Sequence, residues 1–392
     1  MTAPSLSIDL LGPVARARIE FGDLTLLTGP QASGKSITLQ TLKLALDHDA
    51  ITRRMVRQGL VWEGDTSSFL DLYLGEGMSS IWTSESQVEL NAKSLALEDL
   101  ATPPSGRKSA PERVAYVPAQ RVMSLRDGWT RAFGEYRAGD PYVLREFSHH
   151  LHEIVQGELS GSPQLFPKPQ RFNEALRAVI SEHVMSGWTL SVDTAGGQKR
   201  FVLRDTSEDS ATRLPFLTWS AGQREFMPLL LGLYRLMPGG AIQRRDDLEW
   251  AIIEEPEMGL HPRAIAATMA FVLELLRRGY RVVLSTHSIQ VVDIVWGLRR
   301  LIEDGGSEQD VLDMLDLRAT GSSRRAAAAA LKKVCRAYYF EAGEPTRDIS
   351  DLDPASDDAA TAGWGGLTAF SERVANVVSR VVRNRLQRET AS

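Results

Sequence analysis

The stretch "LTGPQASGKS", Leu27–Ser36, decides the fold. Gly29 and Gly34 bracket four residues, and Lys35 and Ser36 follow at once, which is the spacing G-x-x-x-x-G-K-[ST]. The stretch comes after a short apolar run, "DLTLL", and before "KSITLQTLKLALDHDAI", whose apolar residues recur at helical spacing. The sequence therefore predicts a buried strand, a glycine turn and a helix in that order.

The residue types in this turn suit an anionic ligand. Glycines let the backbone curl with its N–H groups pointing inward, and the start of the following helix adds its positive end. We expect Lys35 to reach the β- and γ-phosphates of a nucleoside triphosphate, as a catalytic residue, and Ser36 to offer its hydroxyl to Mg²⁺. The predicted phosphate-binding residues are Gly29, Pro30, Gln31, Ala32, Ser33, Gly34, Lys35, Ser36 and Ile37.

A carboxylate for the metal is expected at the end of a neighbouring strand. The segment "LEWAIIEEPEMGLHP" places Glu254 and Glu255 directly after a buried run, residues 251–253. Ligands collect at the carboxyl ends of parallel strands. We therefore predict that Glu254 binds Mg²⁺ and that Glu255 is the general base for an attacking water. Alternation along the strand should direct the two carboxylates to different sides.

Three further segments follow a known order. "YVPAQR" places Gln120 after a strand, "TWSAGQRE" begins a helix at Ser220, and "VVLSTHS" ends a strand at His287. Taken singly, these residues also suit a strand-end polar group, a helix cap and a core histidine. Their order around the phosphate loop and the double glutamate resembles that of ABC-type ATPases. "EEPEMGLHP" and "STHS" are similar to segments of the overcoming-lysogenization-defect, RecF and SMC-like branch, whose members are AAA family ATP-binding proteins.

The resemblance implies roles for further residues. Gln120 would sense metal and water, His287 would contact the γ-phosphate as a catalytic residue, and the cofactors would be ATP and Mg²⁺. The signature residues Ser220, Gly222 and Gln223 would bind the nucleotide held by a second copy of the chain. ATP would then hold a homodimer together. Two positions depart from the family pattern: Gln31 replaces its usual asparagine, and Ala221 replaces a glycine, which predicts slow hydrolysis.

The predicted fold class is α/β, a P-loop NTPase with an ABC-type ATPase head made of a mixed central sheet, a β subdomain and a helical signature subdomain. Residues 1–60 and 216–300 would form a composite core. Residues 61–121 would be a β-rich insertion ending at the glutamine loop, 122–215 a helical and hairpin lid insertion, and 301–392 a C-terminal helical extension. The chain lacks the long heptads of SMC-like members, and we interpret Asp351 and Asp353 as an acidic loop rather than nuclease ligands.

Composition limits the possible partners. The net charge of −5 provides no general attraction for nucleic acid, so such contact could use only a local patch. Arginines cluster at 121, 126, 131 and 137 and again at 380–388, and solvated helix faces are the favoured interpretation of both clusters. One cysteine excludes a disulfide framework and a multi-cysteine zinc site. A signal peptide and a membrane span are not evident, so we expect a cytoplasmic protein without membrane contact.

The functional hypothesis is an ATPase that binds and hydrolyses ATP with Mg²⁺ at a head-to-tail dimer interface. It would drive or gate a DNA-maintenance or anti-phage-defence complex that contains a separate effector protein. The alternative is a nucleotide-gated scaffold that holds a partner, such as a toxin or a nuclease, with incidental hydrolysis. A transporter ATPase subunit is a third hypothesis, disfavoured because such subunits usually lack "PExxLHP".

Overall fold

The computed structural model describes residues 3–105, 111–194, 197–205, 212–239, 243–245, 247–351, 353, 356, 363–364 and 367–390. Its strands are numbered in chain order: β1 Ser5–Leu11, β2 Val14–Glu20, β3 Leu24–Thr28, β4 Trp82–Leu90, β5 Lys93–Ser94, β6 Val114–Val117, β7 Leu125–Arg126, β8 Trp129–Thr130, β9 Gln164–Phe166, β10 Trp188–Asp193, β11 Arg200–Asp205, β12 Arg213–Pro215, β13 Trp250–Glu254, β14 Arg281–Thr286, β15 Cys335–Tyr339 and β16 Arg347–Asp348.

The α-helices are numbered in the same way: α1 Lys35–Arg57, α2 Thr66–Leu74, α3 Leu97–Ala101, α4 Tyr142–Gln156, α5 Glu174–Ile180, α6 Ala221–Leu236, α7 Pro262–Arg277, α8 Ile289–Glu303, α9 Glu308–Met314, α10 Gly321–Ala330 and α11 Ala369–Thr390. None of the helices in the described part of the chain has the length and apolar character needed to span a membrane.

A six-stranded sheet forms the centre, in the order β16-β15-β3-β14-β13-β6. Its strands are parallel except for the antiparallel pair β15 and β16. An antiparallel sheet of order β2-β1-β4-β5 and another of order β12-β11-β10-β9 accompany it. The predicted α/β class with a mixed central sheet is therefore confirmed.

The central sheet is buried on both faces. Along β13, Ala251 and Ile253 join the larger apolar cluster, whereas Trp250 and Ile252 join the cluster that includes β1 and β2 residues. This alternation is that of a strand covered on both sides, as the unbroken apolar run predicts. The Glu254 side chain lies on the same face of the sheet as those of Trp250 and Ile252, because every second side chain of a strand points to the same face.

Two segments differ from the expected secondary structure. "SSFLDLYLG" lies in the insertion 61–121 that was expected to be β-rich, and its pattern is β-like, but it forms α2. Asp65 caps this helix by accepting from the Ser67 N–H at 3.0 Å. The extension expected to be helical contributes β15, which pairs in parallel with β3 over Cys335–Tyr339. Helices do fill much of the remainder of that extension, including α11, whose valines are exposed. The domain boundaries themselves stay a prediction.

A buried ionic network joins α1 to α4 and α6. Lys43 is fully buried, and its Nζ lies 2.8 Å from Glu146 and 3.3 Å from Asp47. Glu112 accepts from Arg235 of α6 at 3.0 Å and lies 3.6 Å from Lys43. Burial opposes the Lys43 charge, but the three carboxylates outweigh it and raise the lysine pKa above its ordinary value.

Part of this network has the spacing of a metal site, but nearby cations already neutralise its negative charge. Glu112, Glu146 and His150 present ligand atoms within 4.8 Å of one another. Arg54 lies 2.9 Å from the His150 ring, and burial, followed by the charge of Arg235, lowers the His150 pKa to about 4. Lys43, Arg54 and Arg235 already neutralise the carboxylates of Asp47, Glu112 and Glu146, so we assign no metal to this cluster.

Replacing Lys43 with methionine should destabilise the protein by about 3–5 kcal/mol, because it leaves buried carboxylates without their cation. Urea unfolding followed by circular dichroism measures the change. Arg16→Ala is the control, since Arg16 is paired with Asp9 at the surface and its removal should cost about 1 kcal/mol or less. Equal losses in the two variants would contradict a structural role for the network.

Candidate functional site

The loop between β3 and α1 has the backbone that the glycine spacing predicts. Gly29 and Gly34 have φ angles of 137° and 98°, and Ala32 between them has 57°. A Cβ on Gly29 would lie 2.1 Å from the Phe340 carbonyl oxygen, and one on Gly34 would lie 2.3 Å from Val14 Cγ2. Only glycine fits either position. Pro30, Gln31 and Ala32 form the exposed outer part of the loop, and the partly exposed Ile37 continues into α1.

Lys35 lies inside this loop. Its Nζ donates to the carbonyls of Gly29 and Pro30 at 2.9 and 2.7 Å and to the Ser33 hydroxyl at 3.2 Å. Burial lowers the Lys35 pKa to about 8, although the charges of Glu255, Glu254 and Glu257 oppose this shift. An anion in the loop would favour the protonated ammonium.

Glu254 is buried beside the loop at the end of β13. Its carboxylate accepts from the Tyr116 hydroxyl and, at 3.0 Å, from the Ala119 N–H, and the Ser36 side chain is a further hydrogen-bond partner. Burial raises its pKa, against these hydrogen bonds. The Ser36 hydroxyl and the Glu254 carboxylate are adjacent hard oxygen donors and fit Mg²⁺. Gln120, the third predicted ligand, is exposed one residue beyond Ala119.

Glu255 and His287 come together at the same sheet edge. The His287 Nε2 atom lies 3.6 Å from Glu255 Oε1, and the histidine side chain is hydrogen-bonded to the backbone of Gly29. Burial, followed by the charge of Lys35, lowers the His287 pKa below its ordinary value. The structure thus brings the predicted base and the predicted histidine next to the phosphate loop, while Glu254 turns towards Ser36.

A third acid, Glu257, supports the histidine and was missed in the sequence. Its Oε1 accepts from the Thr286 hydroxyl at 2.7 Å and from the His287 N–H at 2.8 Å. Glu257 therefore fixes the turn that follows β14. The repeated acid in "EEPE" was the available signal, but only the pairing of β13 with β14 places Glu257 under His287.

The signature residues lie at the exposed start of α6. The Ser220 hydroxyl accepts from the Gln223 N–H at 3.2 Å, and the Gln223 side chain accepts from the Ser220 N–H at 3.1 Å, which makes a capping box. A Cβ on Gly222 would lie 2.9 Å from the Gly259 carbonyl, so α6 packs closely on the turn after the glutamates. Among the described contacts, none joins Ser220, Gly222 or Gln223 to the phosphate loop of the same chain.

The interpretation of Arg121 as a surface arginine was wrong. Its side chain is 0% exposed, and it donates to the backbone carbonyls of Glu225, Glu254 and Glu255. The neighbouring arginines in sequence, at 126, 131 and 137, remain half-buried or exposed. Sequence alone groups the four because it does not show that the turn after β6 packs under β13 and α6.

Comparison with known proteins agrees with this arrangement. Residues 144–293 match the family described as "AAA domain, putative AbiEii toxin, Type IV TA system". A search of the curated proteins finds no match.

Three solved structures are similar in outline. The SMC head domain from Thermotoga maritima is 13% identical, covers 89% of this chain and 99% of its own, and has a TM-score of 0.31. An SmcHead bound to the C-winged helix domain of ScpA is 11% identical, with coverages of 89% and 98% and a TM-score of 0.38. A Smc head with an extended coiled coil, bound to the C-terminal domain of ScpA derived from Pyrococcus furiosus, is 10% identical, with coverages of 88% and 96% and a TM-score of 0.33. At these TM-scores the three likenesses carry no functional inference.

The family match covers α4 to the first turn of α8 and therefore includes the signature helix, the glutamate pair and the histidine. The phosphate loop and β3 lie outside the matched residues and complete the site through the central sheet. Residues 144–293 therefore match an AAA domain, and the sheet order and this constellation agree with the ABC-type P-loop fold that the sequence predicts.

Proposed function

We propose that the protein binds ATP with Mg²⁺ and hydrolyses it at an interface between two copies of the chain. The observation that carries this proposal is the convergence of Lys35, Ser36, Glu254, Glu255 and His287 at one edge of the central sheet. Each residue type there has a role in phosphoryl transfer, and Lys35, Ser36 and Glu254 lie in or beside the loop.

The roles follow from the contacts. The Lys35 ammonium and the N–H groups at the start of α1 would hold the β- and γ-phosphates. Ser36, Glu254 and Gln120 would hold Mg²⁺, which supplies charge neutralisation to the phosphates when it is bound. Glu255 would take a proton from the attacking water, and His287 would contact the γ-phosphate from the neighbouring strand.

A second copy would complete the site. The start of α6 is exposed, and its N–H groups and capping residues Ser220 and Gln223 offer the positive end of a 16-residue helix. These groups have no contact with their own phosphate loop among the described residues, so we infer that they serve the nucleotide of a partner copy. The result is a head-to-tail homodimer held together by ATP.

We propose a biological process from the description of the matched family. The matched family is described as "AAA domain, putative AbiEii toxin, Type IV TA system", which favours a role in a defence complex. A role in DNA maintenance and a separate effector protein are proposed from the sequence resemblance. The scaffold hypothesis shares the same nucleotide site and differs in requiring only nucleotide binding. A transporter subunit is not favoured by any observation. We propose a cytoplasmic location.

ATP affinity should depend on pH through Lys35. With a pKa of about 8, the ammonium is charged at pH 7 and mostly neutral at pH 9, so binding at pH 9 must also take up a proton. The ATP dissociation constant should therefore rise about tenfold between pH 7 and pH 9. Isothermal titration calorimetry measures it. Lys35→Arg keeps its charge throughout and should show a flat profile; a flat profile in the unmodified protein would contradict the assignment.

Glu255→Gln tests hydrolysis against scaffolding. The amide cannot accept the proton of the attacking water, so turnover should fall about 100-fold or more while ATP binding persists. Light scattering with ATP should then show a trapped dimer. Glu249→Gln, at the opposite end of β13, is the control and should leave turnover unchanged. Undiminished hydrolysis in the Glu255 variant would exclude Glu255 as the general base. A protein that stays monomeric with and without nucleotide would contradict a site shared between two copies.

A further inference from the structure

The backbone of Glu255 is held in an unusual conformation. Its φ of 43° lies in the left-handed region, which costs a residue with a side chain about 1–3 kcal/mol and persists only where neighbours enforce it. The direction of the Glu255 side chain depends on the two peptide planes that flank its Cα. Whatever holds those planes therefore aims the carboxylate at its substrate.

The peptide plane before Glu255 is held at both of its polar atoms. The Glu255 N–H donates to the Ser285 carbonyl at 2.9 Å, and the Glu254 carbonyl accepts from Arg121 Nη1 at 3.0 Å. The plane after Glu255 differs, because Pro256 has no N–H and the plane can be held only through its carbonyl. That carbonyl accepts from Arg121 Nη2 at 3.0 Å and from the Met258 N–H at 3.0 Å, and Arg121 is the side-chain donor of the two.

Arg121 is itself anchored on a third element. Its Nε donates to the Glu225 carbonyl in α6 at 3.2 Å, and the Glu225 carboxylate lies 4.0 Å away. The planar guanidinium of Arg121 thus donates with all three nitrogens, two of them to carbonyls at the end of β13 and one to the signature helix. A guanidinium matches this pattern because its donors form a rigid fork, whereas a lysine ammonium is a point charge on a flexible chain.

We propose that Arg121 is a positioning residue for the hydrolytic base: it fixes the two peptide planes around Glu255 and so sets the direction of its carboxylate. This inference rests on the proposed ATPase function. At Glu254 and Glu255, the hydrogen bonds from Arg121 go to the backbone carbonyls and not to the carboxylates. No described hydrogen bond joins Arg121 to the phosphate loop. Its loss should therefore lower the rate of hydrolysis and leave nucleotide affinity in place.

The test is Arg121→Lys in the full-length chain. The turnover number for ATP should fall about 10- to 100-fold, the effect expected of a misplaced catalytic group. The dissociation constant for a non-hydrolysable ATP analogue should stay within about twofold. Arg171→Lys is the matched control, because Arg171 is also buried and also donates to a carbonyl of α6, that of Tyr234 at 3.1 Å. This control should lose stability in urea and keep its turnover number.

Each outcome decides the proposal. Unchanged turnover in Arg121→Lys, or a loss of affinity equal to the loss of turnover, would overturn it. If the lysine variant does not fold, Arg121→Gln is scored in the same way, and failure of both to fold beside a folded Arg171→Lys would also overturn it. If the unmodified protein neither binds nor hydrolyses ATP, that result contradicts the proposed function itself, so the two failures are distinguishable.

Discussion

The parallel pairing of β3, β14, β13 and β6 is the constraint on which the site depends. Parallel strands end at one edge, so the turns that follow them must meet there. In this chain those turns carry the phosphate loop after β3, His287 after β14, Glu255 after β13 and Gln120 after β6.

Buried polar groups then connect the central sheet to the helices. Lys43 and Glu112 tie α1 to α4 and α6 through paired charges, whereas Arg121 ties the end of β13 to α6 through backbone carbonyls. Buried charges of this kind are costly unless they are paired, and Lys43, Glu112 and Arg121 each have a partner here. Arg121 consequently holds the helix that bears the signature residues against the end of β13, beside the candidate nucleotide site.

Local pattern was sufficient for much of the candidate site. The phosphate loop, the cap at Ser220 and the strand that ends at Glu254 are each encoded within about ten consecutive residues, and the structure places all three as expected. The segments "EEPEMGLHP" and "STHS" both lie within residues 144–293, which match the AAA domain family. The dimer and the separate effector stay predictions, since neither is a property of one chain's folded pattern.

Long-range pairing was beyond the sequence. Nothing local shows that β15 adds to β3 more than 300 residues earlier, or that Arg121 lies under β13 rather than in solvent. The β-like pattern of α2 was misleading because its apolar residues suit both periods, and the Asp65 cap decides between them. Glu257 required the same kind of distant contact before its role beside His287 became visible.

All of the proposed chemistry requires that the glycine loop of this chain binds a nucleoside triphosphate through Lys35. Calorimetric titration of Mg²⁺-ATP into the unmodified protein and into Lys35→Ala at pH 7 tests it most directly. Removing a charge-assisted contact of about 1.5–3 kcal/mol should weaken binding about 10- to 100-fold or abolish it. Equal affinity in the two proteins would contradict the account.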